Sequence, residues 1–306
     1  MNAWRELRNT INDDSDPRFA IASILKVAAM HRVTDSYGPI PYIKFGYSAE
    51  VPYDSQKDVY YRFFEELDEA INVLDKYAAA GEKIFSSWDV VYNGDTKQWI
   101  KFANTLRLRL AMHIVYADES KAQAEVLEAV SNSYGFLTAK SDIAELQHIS
   151  PIANYESPLY IIKSWDDICM GATLDSYMNG YEDPRRAAYF VMGSDGVYRG
   201  IRAGMPNNTI KTNYTTGLFS TPNVSSNSNV VWMRASETYF LLAEAALRGW
   251  SVGGTAKSFY ESGVKLSFDE QGVSGVDSYL SNTTKVPANY SDPVTSGHSI
   301  TARGAI

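Results

Sequence analysis

The side chains that could act as acids, bases or metal ligands are few. Four histidines, His31, His113, His148 and His298, lie far apart. No two stand four residues apart and no His-Glu-x-x-His segment occurs, so the helical spacing that holds a hydrolytic zinc is missing. His31 and His113 fall in helical patterns and read as packed or capping residues. The one cysteine, Cys169, has no histidine beside it to draw off its proton, so a thiolate nucleophile is unsupported. Cysteine-based zinc sites and an internal disulfide are excluded by the same count. There is no Gly-x-Ser-x-Gly elbow, P-loop or dinucleotide fingerprint; the spacing of Gly193, Gly196 and Gly200 fits none of them, and no cofactor is expected. Paired carboxylates could hydrolyse a glycosidic bond. The candidates are Asp166-Asp167, Glu182-Asp183 and the acidic run at 65–69. Neighbouring residues on a helix diverge, which disfavours Asp166-Asp167, and the acidic run reads as a solvated helix face. No segment of the sequence marks a catalytic site by its spacing, although glycosidase carboxylate pairs often leave no local motif.

The elements that would position a ligand are mostly helical. Ala20, Ile21, Ile24, Ala28 and His31 recur at three- and four-residue steps, predicting a helix over 18–34 that starts behind Asp16-Pro17. From Thr34 to Tyr42 the prolines predict an extended, pinned segment. A second helix is predicted over 55–78, capped by Ser55, with Val59, Phe63, Leu67, Ala70, Ile71 and Leu74 on one face. A third is predicted over 96–117 behind Asp95, with Trp99, Phe102, Leu106, Leu110 and Ile114 in its stripe, and a fourth over 119–131. Helices return over 234–249 and 255–271. In the last pair, Ala256, Tyr260 and Gly263 follow the small-aromatic-small spacing of tetratricopeptide helices, and Phe240, Ala243 and Leu247 occupy matching slots.

Residues 133–232 differ. Helical periodicity fades except near 156–179 and 185–190, and 193–230 is rich in Gly, Asn, Ser and Thr with isolated aromatics. A long irregular stretch in a compact chain is usually functional or disordered, and the aromatics favour the ordered reading. The organisation expected is one domain, a helical scaffold at 18–132 and 233–271 carrying a loop-rich ligand-binding insert at 133–232. The fold class is all-α. Net charge is -8, which argues against nucleic acid as a partner. With 21 Tyr, 12 Phe and 6 Trp, the chain has many rings with an apolar face, suited to contact surfaces.

Seven segments in order resemble the SusD/RagB family. They are Thr34-Asp-Ser-Tyr-Gly-Pro-Ile-Pro-Tyr42, Tyr53-Asp-Ser-Gln56, Phe64-Glu-Glu-Leu-Asp-Glu-Ala-Ile71, and Asp89-Val-Val-Tyr-Asn-Gly-Asp95 with the Trp99–Ala111 helix. Asp183-Pro-Arg185, Met233-Arg-Ala-Ser-Glu237 and Leu242–Gly249 follow. The resemblance implies an α-α superhelix of tetratricopeptide-like helix pairs with a loop-rich ligand region. It implies a surface-exposed lipoprotein of the Bacteroidetes outer membrane, without catalytic activity, that takes up glycans, or peptides in the RagB branch, and hands them to a SusC-type TonB-dependent transporter. Family members are longer at both ends; the lipid-anchor cysteine and the terminal segments have no counterpart here, so the chain reads as truncated.

For a glycan ligand, apolar ring faces stack on aromatics while a few placed polar groups meet the hydroxyls. In the insert the expected stacking residues are Trp165, Tyr181, Tyr198 and Tyr214, and the expected polar partners are Asp166, Arg199, Arg202 and Asn207. Peptide binding on the same scaffold, a glycosidase and a cytoplasmic helical-repeat adaptor are the alternatives.

Overall fold

The structure is a computed structural model that describes residues 2–45, 50–148, 155–166, 168–204 and 217–282. These form eleven helices and four short strands. The chain divides into two compact units, Met1–Leu146 with Val231–Gly263, and Gln147–Val230 with Val264–Ile306.

The first unit is a stack of antiparallel helices. α1 (Asn2–Ile11) precedes α2 (Pro17–Tyr37), α3 (Gln56–Ala80), α4 (Thr96–His113) and α5 (Glu119–Ser131). Each main helix has a sequence-encoded start. Asp16 accepts from Arg18 N, Ser55 from Asp58 N, Asp95 from Lys97 N and Gln98 N, and Asp118 from Lys121 N. Such caps satisfy orphan amide groups of the first turn. α2 outruns its prediction. Thr34 to Tyr37 are helical, and the helix stops at Gly38, whose φ of 72° suits glycine and whose N–H reaches Thr34 O at 2.7 Å. Only from Gly38 does the proline-rich segment leave the helix, because Pro39 constrains the residue before it and not those further back. α4 ends at His113, four residues short of the expected end, and 114–117 are turn.

α2 packs on α3, α3 on α4, α4 on α5, and α9 (Ala235–Leu247) also packs on α4. Ile24, Val27, Val59, Phe63, Leu67, Leu74, Ile100, Leu106, Leu110 and Val126 are fully buried between them. α4 is buried nearly all round, from Thr96 to Met112, as a helix at the centre of a bundle must be. Its two arginines are therefore inside and must be paired. Arg107 meets Asp68 of α3 and, at 3.0 Å, Glu125 of α5, the latter an ion pair without the geometry of a directed hydrogen bond. Arg109 meets Glu237 of α9. The proline-rich segment is tied down too. Tyr42 N and Ile43 N both donate to Asp54 Oδ2, and the Tyr42 hydroxyl donates to the buried Glu66, which also holds Lys26 Nζ at 2.6 Å. Burial pushes the Lys26 pKa down, against the pull of Glu66.

α9 turns through Gly249 and Gly253 into α10 (Ala256–Glu270). Gly263 lets α10 approach α9 closely: a Cβ there would stand 2.9 Å from the Phe240 ring, which meets Tyr260 edge-on at 5.9 Å. This is the small-residue approach that the tetratricopeptide-like spacing implies. β1 (Ala144–Leu146) pairs with β4 (Val230–Met233).

The second unit is mostly irregular. α6 (Pro158–Ser164), α7 (Ala172–Gly180) and α8 (Arg186–Tyr189) are short, β2 (Phe190–Val191) pairs antiparallel with β3 (Thr221–Pro222), and α11 (Val276–Ser281) closes the described chain. α6 packs against β3.

Candidate ligand-binding site

The expected ligand residues fall into three settings. Trp165 ends α6 and is 64% exposed. Leu159 and Ile162, at three-residue steps before it, are exposed as well, so one face of α6 is apolar and open. Trp165 N bonds Ile162 O at 3.2 Å and Asp166 N bonds Lys163 O at 3.0 Å, closing the turn. Asp166 is exposed and stands at φ 58°, a conformation that costs a non-glycine residue energy and persists only where the surroundings enforce it. The backbone of Trp165 is thus held at the end of a tight turn.

Tyr181 and Tyr198 sit elsewhere in the same unit, and both are half-buried. Tyr181 follows α7 and stacks on Tyr177 with the planes 23° apart; Tyr279 of α11 meets it edge-on at 6.3 Å. Asn179 Nδ2 donates to Tyr198 O at 2.9 Å, Arg186 Nη1 donates to Asn179 Oδ1 at 2.8 Å, and the Arg186 guanidinium lies over the Tyr198 ring at 5.4 Å. The segment is pinned from below by Asp175, fully buried, whose Oδ2 accepts from Gly200 N at 2.8 Å. Only glycine fits at position 200, because a Cβ would lie 2.6 Å from Gly171 O.

Arg199 and Arg202 diverge. Arg199 is only 5% exposed; its Nη2 donates to Asp195 at 2.8 Å and its Nη1 to Leu218 O at 3.1 Å, so it props the loop from inside. Arg202 is exposed. Asn207 and Tyr214 lie outside the described residues. Periodicity alone did not single out Arg185. Its guanidinium takes both Asp183 oxygens, donates to Ser267 Oγ at 2.8 Å, and covers Phe268 at 4.7 Å and Tyr279 at 5.5 Å. The signal was present in Asp183-Pro-Arg185 and in the four-residue step from Tyr177 to Tyr181.

Catalytic chemistry finds little here. Asp183 is committed to Arg185, at 2.6 Å. Burial pushes the Cys169 thiol up, away from the thiolate. Among the described residues no three His, Cys, Asp or Glu side chains are grouped to hold a metal ion.

Stacked helix pairs with a loop-rich unit define a tetratricopeptide-like helical-repeat fold. The chain matches the SusD-like family, described as Susd and RagB outer membrane lipoprotein, over residues 1–306, and it belongs to that family. Among solved structures it is similar to a chitin-binding SusD homologue from Flavobacterium johnsoniae, with 41% identity and a TM-score of 0.87 over 93% of this chain and 59% of that one. A SusD homologue from Bacteroides uniformis gives 40% identity and 0.85 over 94% and 59%, and a SusD-like protein from Bacteroides thetaiotaomicron 36% and 0.86 over 97% and 61%. The chain thus spans about three fifths of the length of these relatives. No curated protein matches it. Among the described residues no helix is long and apolar enough to cross a membrane.

Proposed function

We propose that this chain captures oligo- and polysaccharides at the bacterial cell surface and delivers them to a SusC-type TonB-dependent transporter, without catalysing a reaction on them. The observation that carries the reading is Trp165, a large ring left 64% in water at the end of a turn, in line with the exposed Leu159 and Ile162. A soluble surface gains nothing by exposing such a stripe unless something covers it. A sugar's apolar face stacks on such a ring, and Asp166 and Arg202 are exposed polar groups of the same unit. Tyr181 and Tyr198, with Asn207 and Tyr214, extend the proposed site; Arg199 supports its loop. Family membership supports a lipid-anchored outer-membrane setting, and the chitin-binding relative supports a polysaccharide ligand.

The test is a glycan array run beside a peptide library, on the wild type and on Trp165→Ala. Binding to polysaccharides that falls at least about tenfold in the variant, equivalent to about 1.4 kcal/mol, is the expected result. Silence across polysaccharides with binding to cationic peptides, which the net charge of -8 would favour, sinks the glycan reading. Co-purification with a SusC-type transporter tests delivery separately.

A further inference from the structure

The scaffold unit holds a recess of its own. The end of α2, the first turns of α3 and the turn after α4 enclose about 390 Å³, at the small end of the roughly 300–1,000 Å³ of ligand pockets. Its floor is a fixed polar net. Tyr60, 3% exposed, donates its hydroxyl to Asp35 Oδ1 at 2.5 Å, and His113 Nδ1 lies 3.1 Å from that hydroxyl and 3.4 Å from Asp35 Oδ2. On the other wall Tyr61 donates to Asp118, and the Lys57 ammonium sits 5.2 Å from the Tyr61 ring. Gln56 is oriented by its Nε2 bond to Thr34 O at 2.9 Å.

These bonds decide what the recess can take. Both carboxylates already accept from neighbours, and the Lys57 and Lys121 ammonium groups stand near Asp118 and over the Tyr61 ring, so the charges around the recess are balanced and favour a neutral occupant. Among the described residues no carboxylate–histidine group is built to hold a metal ion. Beside these bonds the recess is lined by Lys57, Gln56, His113 and the apolar surface of Ile114 and Ala117. That is a mixture of donors and acceptors around an apolar patch, which matches a neutral ring bearing hydroxyls. Three of the most exposed aromatics flank it in sequence: Tyr37 (79%), Tyr53 (73%) and Tyr116 (91%) stand within three residues of Asp35, Gln56 and Ala117. Arg248 covers the Tyr116 ring at 4.9 Å, so even this exposed ring is oriented.

We infer that this recess is a second saccharide subsite, carried by the helical scaffold and independent of the Trp165 reading. It takes a neutral mono- or disaccharide, with Lys57, Gln56 and His113 meeting hydroxyls and Tyr61, Ile114 and Ala117 lining its apolar side. The test is methyl NMR of the Ile114 and Ala117 resonances during titration with maltose, cellobiose and N,N′-diacetylchitobiose. At least one sugar is expected to move both signals saturably, and to do so equally in Trp165→Ala. Ala117→Trp, which fills the recess from an exposed position, should abolish the Ile114 shift at an unchanged melting temperature. Lys57→Ala, at a solvent-facing residue, serves as the second variant and should weaken it. Methyls unmoved by all three sugars overturn the inference. So do shifts that persist in both recess variants, or shifts that vanish in Trp165→Ala.

Discussion

Arg109 and Glu237, 128 residues apart in the chain, meet through two hydrogen bonds of 2.6 and 2.7 Å. Arg109 lies on the central helix and Glu237 in the first turn of α9, so this pair fixes the return of the chain onto the bundle. A planar guanidinium offers two parallel donors to a carboxylate, which sets orientation as well as distance. Glu237 also sits where a helix N-terminus favours negative charge. Removing one partner strands the other, so Arg109→Ala or Glu237→Ala should each cost about 2–4 kcal/mol by urea unfolding. A double-mutant cycle should show that the two losses do not add. Full additivity would mean that the pair does not couple α4 to α9.

Asp89 organises the turn before α4. Its Oδ1 accepts from Val91 N at 2.9 Å and Tyr92 N at 3.1 Å, and its Oδ2 from Gly94 N at 2.8 Å and Trp99 Nε1 at 2.7 Å. Asp89→Ala leaves several part-buried donors unpaired and should destabilise by about 2–4 kcal/mol. The near-UV circular dichroism of the buried Trp99 should change with it. An unchanged melting temperature would refute this role.

His31 is expected to make the scaffold acid-sensitive. Burial lowers its pKa; the hydrogen bond to Val27 O opposes this, and Arg109 adds to it. Asp35 favours the charged ring and His113 disfavours it. A histidine with a depressed folded pKa takes its proton first in the unfolded chain. Its contribution is therefore present above the unfolded value of about 6.5 and is lost as pH falls from there toward the lower folded value. Stability measured between pH 7 and 5 should fall less steeply in His31→Asn than in the wild type; equal slopes would remove His31 as the cause.

Gly200 carries a packing constraint and no conformational one. Gly200→Ala places a methyl against backbone, at Gly171 O, and cannot be relieved by turning a side chain. A loss of about 1–3 kcal/mol is expected, as for other overpacked sites, with faster proteolysis at 171–201. An alanine variant as stable and as resistant as the wild type would show that the segment shifts freely.

Much of the scaffold was legible because its signals are local. Asp16, Ser55, Asp95 and Asp118 cap the helices through side-chain bonds that span two or three residues. Gly263 and Tyr260 carry the close helix approach in their spacing. α1 left no such signal. It is short, and Trp4 gains its place by packing on Phe19 at 5.4 Å across the turn. The candidate site was less legible still. Tyr181, Tyr198 and Arg199 look alike in a loop-rich stretch, but the fold separates a stacked tyrosine, a ring under Arg186 and a buried prop.

By itself the sequence determined the main scaffold helices, most of their starts and their buried faces, since caps and periodicity depend on residues a few positions apart. The tertiary structure decided which polar side chains are spent on the fold and which stay open. Arg107, Arg109, Asp183 and Arg199 have partners supplied by packing, while Trp165 keeps most of its surface in water. Burial and pairing arise between segments that are distant in the chain, and no local spacing encodes them.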